Sequence, residues 1–113
     1  MKIKSILKKK FLPKVPNYFR LPFGLGRGIV MFINFDHQTR LYFGLYEKEI
    51  SQYVRYFLSK SSACFDIGAN TGYYSLICAK LTQGRVLAVE PDKKNHAALL
   101  DNQLHNNFNI LNL

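Results

Sequence analysis

The stretch Ala63–Leu76, ACFDIGANTGYYSL, constrains this chain more than any other. A short apolar run ends on an acid, Asp66. A loop containing Gly68 and Gly72 follows, and residues at helical spacing begin after it. The pattern then repeats in outline. Arg85–Glu90 (RVLAVE) reads as a second strand, Asp92–Asn106 as a second helix, and Asn109–Leu113 as the start of a third strand. Strand, helix, strand, helix, strand at this spacing predicts a parallel sheet with right-handed crossovers. The expected class is α/β: a partial doubly wound, Rossmann-like sheet with its first three strands and two crossover helices. Thr71–Leu81 is the first helix, with Tyr74, Leu76, Ile77 and Leu81 inward and Gly84 closing it. The second turns Ala97, Leu100 and Leu104 inward.

Upstream, Pro13, Pro16 and Pro22 predict irregular chain over residues 12–23. Gly24, Gly26 and Gly28 read as a flexible hinge. Ile29–Phe35 reads as a strand and Thr39–Phe43 as its hairpin partner. Leu45–Lys60 carries Tyr46, Ile50, Tyr53, Val54, Phe57 and Leu58 at helical spacing. Glu47 and Glu49 fall in its first turn, where the helix dipole favours acids, and Lys60 and the Ser61–Ser62 pair end it. Three segments result: a basic, Pro/Gly-rich arm (1–28), a hairpin-and-helix segment (29–61), and the α/β unit (62–113).

The net charge of +9 is unevenly placed. Residues 1–35 hold eight basic side chains and no acid, so nearly all of the excess belongs to the arm. Such an arm suits a phosphate-rich surface, and Ile3, Ile6, Leu7 and Phe11 on one helical side suit an anionic membrane surface. The plainer alternative is a solvated arm lying on the domain. The remaining chain is close to neutral, which argues against nucleic acid as a partner. No apolar run is long enough to span a bilayer. Cys64 and Cys78 read as buried small hydrophobes rather than a disulfide framework, which suits a reducing, cytoplasmic setting. His37, His96 and His105 do not cluster, so they are expected at the surface and no metal site is expected.

Ligands of parallel sheets bind at the carboxyl ends of the strands. There this chain places Asp66, the loop Gly68-Ala69-Asn70-Thr71-Gly72, and Glu90 about twenty residues on. The glycines let backbone pass close to a ligand. The helix N-terminus attracts an anionic group, and Glu90 can accept from two vicinal hydroxyls. A dinucleotide fingerprint needs glycine where Asn70 stands, and the Asp66 carboxylate repels phosphates. S-adenosylmethionine, with its ammonium, sulfonium, carboxylate and ribose, matches both acids and the helix N-terminus. Asp66 as a helix cap, Tyr73 as a packing residue and Glu47 as a dipole partner are the alternatives at those positions.

Taken together, FGLYEKEI (43–50), FDIGANTGYYSL (65–76) and VLAVEPDKKNHAALLDNQLHNN (86–107) resemble the FkbM-type methyltransferases, class I enzymes that use S-adenosylmethionine. The resemblance runs from about Gly44 to the last residue. It implies that Asp66, Gly68, Ala69, Asn70, Gly72 and Tyr73 surround the methionine part and that Glu90 holds the ribose. It also implies that Tyr46–Glu47 closes over the cofactor. The implied activity is methylation of a hydroxyl oxygen on a sugar, glycan or secondary metabolite. Asn102 is expected to be a structural amide near the strand ends. The family's sheet has seven strands, of which these residues supply three, so no turnover is expected from this chain alone. Two other readings stay open: a non-catalytic interaction module with a basic arm, and an RNA methyltransferase fragment.

Overall fold

The computed structural model describes residues 10–60, 63–82 and 85–113. Residues 1–9 of the basic arm, the Ser61–Ser62 pair and the closing Gly84 lie outside the described residues. In chain order the elements are β1 (Asn17–Arg20), β2 (Val30–Ile33), α1 (Thr39–Tyr42), a 3-10 turn (Lys48–Ile50) and α2 (Ser51–Ser59). Then come β3 (Ala63–Ile67), α3 (Tyr73–Leu81), β4 (Arg85–Val89), α4 (Lys93–Leu104) and β5 (Leu111–Asn112).

The α/β unit forms as the pattern predicts. β3, β4 and β5 make one parallel sheet in that order, with Asp66 opposite Ala88 and Leu87 opposite Leu111. Both crossovers step the same way across the sheet, and right-handed crossovers of that kind put both helices on one face. On that face α3 packs through Leu76 and Ile77, above Val86 and Ala88, all of them buried. The opposite face carries Phe65, Leu87 and Leu111 in register. Phe65 is 69% exposed, Ile67 73% and Leu111 65%, so this face is bare among the described residues. β3 pairs with β4 alone, which leaves its other edge free there.

The segment before the sheet departs from expectation. A hairpin is present, but β2 pairs with β1, with Asn17 opposite Ile33 and Arg20 opposite Val30. Residues 17–28 therefore belong to the fold and not to a loose arm. The glycine region is no hinge. It is the ordered hairpin loop, closed by Leu21 N–H donating to Ile29 O and Gly28 N–H donating to Leu21 O, both at 2.8 Å. Leu21, Leu25 and Ile29 are buried within it. Pro16 and Pro22 flank β1, positions where a missing N–H costs no ladder bond. Thr39–Tyr42 is one helical turn, because the Thr39 hydroxyl donates to Phe35 O at 2.7 Å and draws the chain round.

The predicted long helix also divides. Glu47 has φ +47°, so Tyr46 and Glu47 precede the 3-10 turn instead of lying in a helical first turn. On α2 only Leu58 is buried and Val54 half-buried, while Tyr53 and Phe57 face solvent.

The two cysteines are not separate thiols. Cys64 on β3 and Cys78 on α3 face each other across the strand–helix interface and are joined as a disulfide, with Cα atoms 6.3 Å apart. Their spacing in the first crossover unit brings them together there, and the bond closes the chain around the glycine loop.

On α4 the inward face is not Ala97, Leu100 and Leu104. Leu99 and Asn102 are buried, whereas Leu104 is 77% exposed. The reason is the free edge of β2. Phe32 N–H donates to Asn102 Oδ1 at 2.9 Å and Val30 N–H to Asn106 Oδ1 at 2.7 Å. Asn106 Nδ2 returns a bond to Val30 O at 2.6 Å. Two amides one helical turn apart thus stand in for a neighbouring strand. A polarity pattern sends such residues outward, and here the backbone of another element draws them in.

Asn102→Ala is expected to lose about 1–3 kcal/mol of stability, since it removes the partner of the part-buried Phe32 N–H and Thr71 carbonyl. Leu104→Ala should stay within about 0.5 kcal/mol. Urea unfolding of both variants checks this, and equal midpoints would dismiss the inward-facing amide as a stabiliser.

Candidate functional site

The loop after β3 is built from backbone. Gly68 N–H and Ala69 N–H both donate to Val89 O, at 2.8 and 3.0 Å, so the chain turns over the end of β4. Asn70 N–H donates to Glu90 Oε2 at 2.7 Å, and Asp92 N–H to Glu90 Oε1 at 2.8 Å. Asn70 adopts φ +54°, a conformation asparagine tolerates better than most residues. Thr71 O accepts from Asn102 Nδ2 at 2.9 Å, which ties the loop to α4.

Two glycines there have separate reasons. Gly72 has φ +96°, and a Cβ on it would stand 3.1 Å from Leu99 Cγ, so it lets α3 and α4 approach. Gly68 has φ +79°, and a Cβ on it would meet nothing within 4 Å. Its open side is where a ligand can pass close to the main chain. Gly72 caps α3 without any side-chain bond, so the first-turn N–H groups have no side-chain cap.

Asp66 is not the helix cap. Its Oδ2 accepts from the buried Ser75 hydroxyl at 2.6 Å, which fixes the carboxyl against the first turn of α3. Tyr73 and Tyr74 follow. Tyr73 is buried, and Tyr74 donates to Glu47 Oε2 at 2.5 Å. Burial first, and then that carboxylate, hold the Tyr74 hydroxyl well above its ordinary pKa of 10.0. Tyr73 is raised mainly by burial.

These residues surround one cleft of about 770 Å³, within the usual range for small-molecule sites. One wall is Asp66 and the loop from Gly68 to Thr71. The other is Tyr46, Glu47, Glu49 and the turn from His37 to Leu41. The structure thus brings Asp66, Gly68, Ala69, Asn70, Tyr73 and Glu47 to one cavity. Gly72 supports it from behind. Glu90 stands outside the lining, with both carboxylate oxygens accepting from backbone. Of the chain's seven acids, Glu47, Glu49 and Asp66 line this one cleft.

His37 and Arg40 line it too, and no pattern in the sequence pointed to them, because they reach the cleft through the α1 turn nearly thirty residues before Asp66. His105 stacks on Tyr18 with ring centroids 3.6 Å apart, and His96 is half-buried on α4 rather than at the surface. Among the described residues no group of three or more His, Cys, Asp or Glu is placed to hold a metal ion, and no helix is long and apolar enough to cross a membrane.

The raised tyrosines have a pH consequence. A hydroxyl whose pKa is higher in the fold than in the unfolded chain contributes stability in full below pH 10.0, and that contribution declines as pH rises beyond it. Tyr74→Phe is expected to flatten this alkaline decline in thermal melts recorded from about pH 8 to about pH 12. An unchanged slope would show that the Tyr74–Glu47 contact does not control ionisation.

No family model matches the chain, and no curated protein matches it. Among solved structures it is similar to a hypothetical protein of Thermus thermophilus, TTHA0928, with a TM-score of 0.58 at 19% identity. The match covers 84% of this chain and 54% of that one, so this chain spans about half the length of that neighbour. At this identity the likeness establishes the α/β fold.

Proposed function

We propose that this chain carries the cofactor-binding half of an S-adenosylmethionine-dependent methyltransferase of the FkbM type, acting on a hydroxyl oxygen of a sugar or secondary metabolite. One observation carries the reading. The cleft at the carboxyl end of β3 combines an open glycine backbone with three carboxylates, in a chain whose net charge is +9. An acid-lined cleft of this kind favours a cationic ligand over a pyrophosphate.

The residues present fit the group. The N–H groups at the start of α3 would hold its carboxylate, and Asp66, fixed by Ser75, would face its ammonium. Glu90 would keep the loop in register through Asn70 N–H, with remaining lone pairs for ribose hydroxyls. When bound, S-adenosylmethionine supplies a methyl group already activated on a sulfonium. The chain's task is then to orient, and orientation supplies roughly 7–11 kcal/mol when both reactants are held. Glu47, held by Tyr74, and Glu49 line the far wall, where an acceptor hydroxyl would come to lie. With Cys64 and Cys78 paired, the cysteines no longer argue for a reducing compartment; the methyl-donor reading by itself suits the cytoplasm, with the basic arm against anionic lipid.

The bare sheet face and free β3 edge favour a second reading, a half-sheet whose role is to dock on a partner. Calorimetry separates the two. S-adenosylmethionine should bind and NADH should not. Gly68→Ala should weaken S-adenosylmethionine binding by placing a methyl on the ligand side of the loop, and should itself cost about 1–2 kcal/mol of stability because the backbone there has φ +79°. Binding of NADH alone, or of neither ligand, would reject the methyl-donor reading.

A further inference from the structure

Three tyrosine rings meet in the cleft. Tyr46, in the segment before the 3-10 turn, lies 5.6 Å from Tyr73 at an interplanar angle of 85° and 6.4 Å from Tyr74 at 44°. Tyr73 and Tyr74, at the start of α3, are 5.2 Å apart at 66°. No two of the rings are parallel, and all three line the same cavity as Asp66, Glu47 and Glu49. Arg40, also on the lining, directs its Nη2 to the Leu45 carbonyl at 3.3 Å.

The physical chemistry of such a corner is specific. An aromatic face attracts a cation within about 6 Å of its centroid, and the attraction grows when water is excluded. Steeply inclined rings at these spacings can each lie within that reach of one common point. A methyl-substituted onium group gains most, because it is charged yet too weakly hydrated to prefer water. Carboxylates alone would hold ammonium and metal ions equally well, whereas rings select the alkylated cation. The corner is held from outside. Tyr74 is fixed by Glu47, and Tyr73 is buried against the hairpin loop at Gly26. Tyr46 is the wall that admits a ligand, at 41% exposure.

We propose that Tyr46, Tyr73 and Tyr74 form an onium-binding subsite that takes an alkylated sulfonium or ammonium and rejects its neutral counterpart. For the methyl-donor reading, on which the identity of the ligand rests, this makes the cleft discriminate a charged donor from its neutral spent product. The subsite would aid both loading and release.

Of two measurements, the first tests this separately from that reading and the second tests it within that reading. The first follows aromatic NMR signals while the whole chain is titrated with tetramethylammonium chloride and, in parallel, with tert-butanol, a neutral group of similar shape. The cation should shift the ring signals of all three tyrosines and the alcohol should not. Equal shifts, or none, would overturn the subsite whatever S-adenosylmethionine does. The second compares calorimetric affinities for S-adenosylmethionine and S-adenosylhomocysteine. The charged ligand should bind at least about tenfold tighter. Tyr46→Leu should cut that ratio about threefold or more, and Tyr46→Phe should preserve it. An unchanged ratio in Tyr46→Leu would overturn the proposal. If tetramethylammonium binds and S-adenosylmethionine does not, the subsite stands and the methyl-donor reading falls.

Discussion

The architecture depends on one amide. Asn102 is 1% exposed, accepts from Phe32 of the hairpin and donates to Thr71 of the glycine loop. A single side chain thus joins three parts: hairpin, loop and α4. Without it both backbone groups would lose this partner, and a buried unpaired group costs about 1–3 kcal/mol. The hairpin is therefore placed relative to the loop by a polar contact of fixed geometry as well as by the apolar core that Leu21, Met31 and Ile33 share with Leu76, Ile77 and Leu99. The cleft lies between that loop and the segment that follows the hairpin, from His37 to Glu49, so the anchored hairpin carries the far wall.

Legibility in the sequence divides along the same line. The parallel unit is readable because each element announces itself locally. β3 and β4 are short apolar runs, Gly72 and Asp92 mark helix starts, and the spacing of a crossover is fixed by geometry. The hairpin is readable as a hairpin but not in its pairing. β1 holds Tyr18 and Phe19 between two prolines, and proline punctuation masks a strand of only four residues. The α4 face is misassigned from sequence because Asn102 and Asn106 are drawn inward by the exposed edge of β2. No periodicity within α4 carries that information; it resides in an element some seventy residues away.

At the site, the loop and Asp66 are legible since strand end, glycines and acid are contiguous. Glu90 is legible as an acid at the correct strand end. Its present bonds, to the N–H groups of Asn70 and Asp92, show it first as a brace for the loop. The far wall is the least legible part: Tyr46 and Glu47 are signalled only by the resemblance, and His37 and Arg40 by nothing in the sequence. Tyr46 and Glu47 come to the cleft because Glu47 takes a left-handed backbone turn, and Tyr74 holds it there. That arrangement joins residues 27 positions apart, and neither sequence neighbourhood signals the other.

The bonds between hairpin and α4 span 70 and 76 residues of chain. Contacts that close such long loops must first offset their entropy, so they form late. β3, α3 and β4, linked by short connections, have no such delay. An order of assembly follows: the loop-bearing wall of the cleft organises first, and the hairpin, with the His37–Glu49 wall that follows it, arrives on a surface already made. The same order runs backwards in fluctuation. Amide hydrogens of Val30 and Phe32 should exchange sooner than those of Val86 and Ala88, and the mouth of the cleft would then breathe as the hairpin undocks and carries the His37–Glu49 wall with it, while its floor stays intact.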